Sequence, residues 1–162
     1  LARSVVERGT RVILDTSGKA LSFSGKTGVY LTKVNFGEFV ELGYSGPRDY
    51  ATIVAAMRDM VAQGLTHNLI VTLDADGALL ASSAGDKLHA LPPETRVISH
   101  VGAGDSFVSV LVHQLVAGQT VTDAFRYGVA AAAAKVGTPG NLLVGLDTVE
   151  SIAPKVAVRE YE

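Results

Sequence analysis

The length, composition and charge of the chain exclude several classes of protein. Of its 162 residues, 48% are hydrophobic and 19% charged, which is enough apolar material for one core. The net charge of −2 gives no sign of a nucleic-acid or membrane surface, and the lack of cysteine excludes disulfides and thiolate metal sites. No apolar run approaches the ~20 residues that span a bilayer, so we expect a soluble cytoplasmic protein.

Strand-like and helix-like patterns alternate along the chain. The first part predicts a helix that ends at Gly9, a strand over 11–15, a brief helix over 17–23, a strand over 29–33 and a helical turn over 35–42. The second part predicts a helix from Pro47 to Gly64, a strand over 69–73, a hairpin of 78–82 with 87–91, a strand near 96–99, and helices over 103–117, 122–135 and 148–152. This alternation implies an α/β protein with a mainly parallel sheet and helices on both faces.

A glycine loop opens one of the long predicted helices. Gly102 and Gly104 let the backbone turn sharply at a helix start, where unpaired N–H groups and the positive end of the dipole attract a phosphate. Asp105 then lies in the first turn, the place where a general base for phosphoryl transfer is needed. The alternative is an ordinary helix start with a favourable first-turn aspartate, and the local sequence leaves both open.

Polar residues near a predicted strand end form a second candidate group. Asn35 and Glu38 have the spacing that puts both side chains on one helix face, with oxygen atoms suited to magnesium. The same pair also fits a capping box that only stabilises the helix. Lys33 either points at nucleotide phosphates or is a solvated lysine at the end of a strand.

Two nucleotide-binding motifs are rejected. Residues 20–27 nearly match a P-loop, but Gly28 and a predicted strand follow instead of the helix that a P-loop needs, so we interpret Lys26 as an exposed loop cation. A dinucleotide oxidoreductase would need G-x-G-x-x-G after the first strand, and the loop at Gly102 lies late in the chain and lacks the third glycine.

The glycine loop and several other segments of the chain resemble motifs of the PfkB (ribokinase-like) family of sugar kinases. The residues that carry the resemblance are Gly102-Ala103-Gly104-Asp105, the segment 31–38, which is similar to Lys-Pro-Asn-x-x-Glu, the segment 71–78, which is similar to Leu-Gly-x-x-Gly-Ala, and the segments 125–131 and 137–140. Their order and spacing match from about Val12 to Glu150. The likeness is greatest to the branch that phosphorylates sugar phosphates, the 6-phosphofructokinases, 1-phosphofructokinases and tagatose-6-phosphate kinases.

The resemblance implies a fold, an activity and a set of site residues. The fold is a ribokinase-like three-layer α/β/α sandwich, and the activity is transfer of the γ-phosphoryl group of ATP to a hydroxyl of a sugar or sugar phosphate. The implied site consists of Asp105 as catalytic base, an anion hole at Gly102, Ala103 and Gly104, ATP contacts at Lys33, Thr72, Gly77, Gly137 and Gly140, and Mg²⁺ at Asn35 and Glu38. A monovalent cation is implied beside the loops before Gly102 and over 137–140. As an alternative, Thr72 is a buried strand hydroxyl, and Gly137 and Gly140 are ordinary turn glycines.

The resemblance also sets expectations about completeness. In this family the sugar-binding residues and the lid lie in the N-terminal half, so we expect the 162 residues to be a nucleotide-binding and catalytic part that is inactive alone. The full-length protein is expected to form a homodimer. Two departures from the family stand out: Asp74 replaces a glycine and should repel phosphates unless it turns outward, and His100 stands beside the cation loop. A non-catalytic nucleotide-binding or regulatory module remains the alternative function.

Overall fold

The structure, a computed structural model, describes residues 2–17, 28–140 and 142–161. Its helices and strands are α1 (Ala2–Val6), β1 (Ile13–Asp15), β2 (Val29–Asn35), α2 (Phe36–Glu41), α3 (Tyr50–Ala62), β3 (Thr66–Thr72), β4 (Ala78–Ser82), β5 (Lys87–Leu91), α4 (Ala103–Val116), α5 (Val121–Val136), α6 (Leu146–Ile152) and β6 (Ala157–Glu160). Short 3₁₀ turns follow β3 and α6. Among the described residues, no helix has the length and apolar character needed to cross a membrane.

The strands form one mixed sheet in the order β1-β2-β3-β4-β5-β6. Strands β1, β2 and β3 are parallel, whereas β4 is antiparallel to β3. The predicted hairpin of β4 and β5 is confirmed with the expected bounds. Because β1 to β3 run in the same direction, their carboxyl ends lie at one edge of the sheet, where α/β proteins usually bind their ligands.

The chain divides into two compact units, of which the first comprises residues 1–74, 78–89 and 160–162. Its core forms where α3 packs on β3 and β4 through Ile53, Met57 and Val61, which recur at helical spacing. The helix begins at Tyr50 and not near Pro47, because the Asp49 carboxylate caps it by accepting the Thr52 amide at 2.9 Å. The same hydrogen bond lowers the pKa of the Asp49 carboxyl below its usual value.

The second unit comprises residues 75–77 and 90–159 and is built around the helices α4 and α5. The two helices approach closely at Gly128, where a Cβ atom would lie 2.9 Å from the ring of Phe107. The Phe107 ring in turn packs edge-on against Phe125, with 6.3 Å between the ring centroids. The lack of a side chain at Gly128 therefore lets the middle of α5 pack closely against α4 at Phe107.

The structure differs from the predicted elements at one strand and contains one further strand, and a third segment lies outside the described residues. The strand expected near 96–99 is wrong, because the amides of Ile98 and Ser99 donate to the Val136 carbonyl at the end of α5 (2.8 and 3.1 Å) instead of to a strand. Strand β6 was not predicted. The brief helix expected over 17–23 lies outside the described residues apart from Ser17.

Candidate active site

The first group of predicted site residues lies at the carboxyl ends of the parallel strands in the first unit. In the register, Lys33 of β2 stands opposite Asp15 of β1, and Asn35 stands opposite Thr72 of β3. Lys33 is buried, and its Nζ lies 3.2 Å from Oδ1 of Asp15. The interpretation of Lys33 as a solvated lysine is therefore wrong. One of its three ammonium hydrogens is directed to a carboxylate of the chain itself.

Asn35 and Glu38 form the capping box at the start of α2. The Glu38 amide donates to Asn35 Oδ1 at 2.9 Å, and the Asn35 amide donates to Glu38 Oε2 at 2.8 Å. The capping interpretation is thus confirmed, and it leaves Glu38 Oε1 without a hydrogen bond among the described residues. That part of the chain also contains no group of three metal-binding side chains. A single carboxylate fits Mg²⁺, which usually takes its other ligands from phosphates and water.

Beyond the end of β3, the chain makes a left-handed turn at a non-glycine residue. Asp74 has φ +58°, the conformation for which glycine is usually required, and it stands where the resembling family has glycine. Its carboxylate is 81% exposed and lies 3.2 Å from the Arg48 guanidinium, which also donates to the Leu73 carbonyl. The extra negative charge therefore turns outward. The Thr72 hydroxyl donates to the Val34 carbonyl at 3.4 Å, which agrees with its alternative interpretation as a strand hydroxyl bonded within the sheet.

The glycine loop starts α4 in the second unit, as predicted. Gly102 adopts φ +79° and is the N-cap of the helix, with no side chain capping it. The Ala103 amide donates to the His100 carbonyl at 3.3 Å, whereas the amides of Gly104 and Asp105 have no acceptor among the described residues. Asp105 is exposed in the first turn. Two free amides and a carboxylate thus lie side by side at the positive end of a helix dipole.

Lys135 lies near this loop and was not among the predicted site residues. It is 5% exposed, and its ammonium donates to the carbonyls of Pro139, Gly140 and Leu142 at 3.2, 3.2 and 2.7 Å. The Cε atom of Lys135 also lies 3.1 Å from the position of a Cβ on Gly102. The signal in the sequence was a lysine that directly follows a run of small, buried-type alanines. A lysine is rarely buried unless its ammonium group has partners, so such a position predicts a paired lysine. In the loop assigned to a monovalent cation, the carbonyls of Pro139 and Gly140 therefore accept from an ammonium group of the chain itself.

The three remaining glycines each have a packing reason for lacking a side chain. At Gly77 (φ +81°), a Cβ atom would lie 2.0 Å from the Ala90 carbonyl oxygen. At Gly140 it would lie 2.9 Å from Ser99 Oγ, and at Gly137 it would lie 3.2 Å from a methyl group of Thr95. Any contact of these glycines with a nucleotide would be additional to these packing constraints. The rejected P-loop segment with Lys26 lies outside the described residues.

Comparison with known proteins identifies similar chains. Residues 3–147 match the family described as "pfkB family carbohydrate kinase". The ATP-dependent 6-phosphofructokinase isozyme 2 of Mycobacterium tuberculosis is 35% identical over 141 residues, which cover 87% of this chain and 41% of the relative. The structure of Escherichia coli phosphofructokinase-2 in complex with potassium superposes with a TM-score of 0.87 at 29% identity, over 95% of this chain and 50% of that one.

A more distant structure confirms the ribokinase-like fold class. Arabidopsis thaliana ribokinase, solved with ribose and ATP, superposes with a TM-score of 0.81 at 21% identity and covers 94% of this chain and 50% of that one. The chain spans about half the length of the relatives that it matches.

Proposed function

Because the chain belongs to the pfkB family of carbohydrate kinases, we propose that it carries the nucleotide-binding and catalytic part of a kinase that phosphorylates a sugar or sugar phosphate. The observation that carries this proposal is the start of α4, where Asp105 is exposed directly beside two amides without an acceptor. Relatives named 1-phosphofructokinase and 6-phosphofructokinase favour a sugar phosphate as the acceptor.

Asp105 acts as the general base in this proposal. Its carboxylate accepts the proton of the attacking sugar hydroxyl while the hydroxyl oxygen bonds to phosphorus and the bond from phosphorus to the bridging oxygen of the nucleotide breaks. ATP supplies the phosphoryl group and leaves as ADP. The amides of Gly104 and Asp105 donate to the phosphoryl oxygens and stabilise their negative charge, and Gly102 and Ala103 complete the anion hole by setting the turn.

The strand-edge residues bind the nucleotide and magnesium in the same proposal. Lys33 directs its unused ammonium hydrogens to nucleotide phosphates, and Thr72 contributes its hydroxyl. Glu38 would hold Mg²⁺ through the carboxylate oxygen that the capping box leaves unused, with Asn35 beside it, and the bound metal would supply positive charge for the phosphates. Gly77, Gly137 and Gly140 let the backbone approach the nucleotide.

The sugar-binding residues and the lid lie outside these 162 residues in this proposal. A sugar hydroxyl must be held about 3–3.5 Å from the phosphorus before a base can assist the reaction. We therefore expect the isolated chain to bind ATP weakly and to show no turnover with hexoses or hexose phosphates. The full-length protein is expected to be a homodimer, which analytical ultracentrifugation tests.

The decisive experiment is Asp105→Asn in the full-length protein. The rate of sugar phosphorylation should fall by about 10²–10⁴ when the base is lost. The affinity for ATP, measured by calorimetry, should stay within about threefold, because the backbone amides remain. Asp123→Asn is the matched control, since Asp123 stands in the first turn of α5 and should not affect the rate.

Two results would contradict this proposal in different ways. An Asp105→Asn rate close to that of the parent would remove Asp105 from the mechanism. A full-length protein that binds ATP but phosphorylates no member of a panel of sugars and sugar phosphates would favour the non-catalytic module.

A further inference from the structure

A buried ammonium group lies inside the loop that follows α5. Lys135 Nζ donates to three backbone carbonyls, those of Pro139, Gly140 and Leu142, at distances of 3.2, 3.2 and 2.7 Å. An ammonium group has three hydrogens, so all of its donors are used. Among the described residues, no carboxylate forms an ion pair with it.

The surroundings of this group are those of a bound cation. Three carbonyl oxygens converge on one point, and the last turn of α5 adds the negative end of its dipole. Converging carbonyl dipoles repel one another unless a positive charge lies between them, and proteins also use rings of backbone carbonyls to bind K⁺. The loop therefore depends on a positive charge at this point, and Lys135 supplies it.

Lys135 also contacts the turn that starts α4. Its Cε atom lies 3.1 Å from the position of a Cβ on Gly102, so the stem of the side chain packs directly against that residue. The carbonyl-bearing loop touches the same turn, since a Cβ on Gly140 would lie 3.4 Å from Val101 Cβ. One side chain thus holds the loop and supports the residue that precedes the free amides.

We propose that the Lys135 ammonium is a built-in monovalent cation, which occupies the carbonyl cradle of Pro139, Gly140 and Leu142 and makes this part of the protein independent of added potassium. The cradle is defined as these three carbonyl groups. A phosphofructokinase-2 of the same family has been solved in complex with potassium. Lys135 is accordingly a positioning residue. The part of the proposal that concerns phosphoryl transfer rests on the proposed function, whereas the part that concerns the cradle is independent of it.

The test replaces the ammonium by a group of similar stem length. Lys135→Met keeps the apolar stem and removes the nitrogen, which leaves a space lined by carbonyl oxygens. Thermal unfolding of parent and variant is followed in choline, lithium, sodium, potassium and ammonium chloride at equal ionic strength. The melting temperature of the parent should be the same in all five salts. That of Lys135→Met should be lower by roughly 5–10 °C in choline chloride and should rise again in potassium or ammonium chloride.

The control and the contrary outcomes are defined by the same melting curves. Lys155→Met removes an exposed lysine of the same unit and should show no dependence on the cation. Two results would overturn the proposal: a parent stabilised specifically by potassium, or a Lys135→Met variant that is equally unstable or unfolded in every salt. None of these measurements uses ATP, so a failure here is distinguishable from a failure of the Asp105 experiment.

In the full-length protein, the proposal makes a further prediction about activity. The parent should phosphorylate its substrate equally well in choline and potassium chloride. Lys135→Met should lose activity in choline chloride and regain at least part of it with potassium or ammonium. A loss that no cation restores would contradict the positioning role.

Discussion

Lys33 Nζ and Asp15 Oδ1 lie 3.2 Å apart, between residues that stand opposite each other in the parallel pair of β1 and β2. The lysine side chain is 8% exposed and the aspartate side chain 29%. The ammonium group is therefore neutralised by a carboxylate of the chain itself, and an incoming phosphate would share it with Asp15. The pair allows the structural role of Lys33 to be separated from a role in binding nucleotide.

Asp15→Asn and Lys33→Met should have opposite effects on ATP binding. Asp15→Asn leaves a buried ammonium without its counter-ion, so we expect a loss of about 1–2 kcal/mol in the free energy of unfolding. Its affinity for ATP should be unchanged or higher, because the lysine is released from a competitor. Lys33→Met should weaken ATP binding by about tenfold, the effect of one charge-assisted hydrogen bond. Urea unfolding and calorimetry measure both quantities. Equal weakening of ATP binding by the two variants would show that only the stability of the sheet edge matters.

Gly77→Ala should be much more destabilising than the same change at Gly118. Both glycines have nearly the same positive φ, +81° and +85°, but a Cβ at Gly118 meets nothing within 4 Å. Gly118→Ala should therefore cost only the left-handed conformation, about 1–2 kcal/mol. Gly77→Ala must also displace the Ala90 carbonyl, which adds at least ~2 kcal/mol. Urea unfolding of the two variants gives the difference directly, and equal losses would contradict the close approach of the backbone at Gly77.

Asp74→Gly should stabilise the protein slightly and leave ATP binding unchanged. Glycine relieves the left-handed strain at φ +58°, while the exposed contact with Arg48 that is lost contributes little. The expected gain is about 0.5–1 kcal/mol. Asp74→Ala is the control, since it removes the carboxylate but keeps the strain, and it should be the less stable of the two. Tighter ATP binding in both variants would mean that the carboxylate faces the phosphates after all.

The elements that were predicted correctly carry their signal in neighbouring residues. Asp76 and Gly77 predict the turn before β4, and the residue pattern of the two flanking segments predicts the bounds of the hairpin. Strand β6 carries no such signal, because it is short and mostly exposed. The strand expected over 96–99 has apolar residues, but Val97 and Ile98 are more than half exposed, and their segment is held by the end of a helix. The segment is not a strand because its amides donate to a carbonyl of α5 that is distant in the sequence. The local pattern of residues carries no information about that carbonyl.

In the candidate site, too, features with a local sequence signal were predicted and features set by distant contacts were not. The start of α4 was predicted because its chemistry belongs to the backbone and only requires glycine at the turn. The ambiguity of Asn35 and Glu38 could not be resolved from spacing, since a capping box and a metal ligand pair use the same residues. The role of Lys135 depends on where the following loop directs its carbonyl groups, which is a property of tertiary structure.

Helix α4 begins at Gly102 without any side-chain cap. Peptide N–H groups do not titrate and have no rotamers, so the contribution of the backbone to the potential at this end of the helix is constant over the whole pH range in which the protein is folded. A substitution can narrow or block the turn, but it cannot change the partial positive charge of the backbone N–H groups. In the proposed anion hole, a change of phosphate affinity with pH would therefore originate in the ionisation of the anion itself or of nearby side chains, and the pH profile of binding would report the titration of those groups.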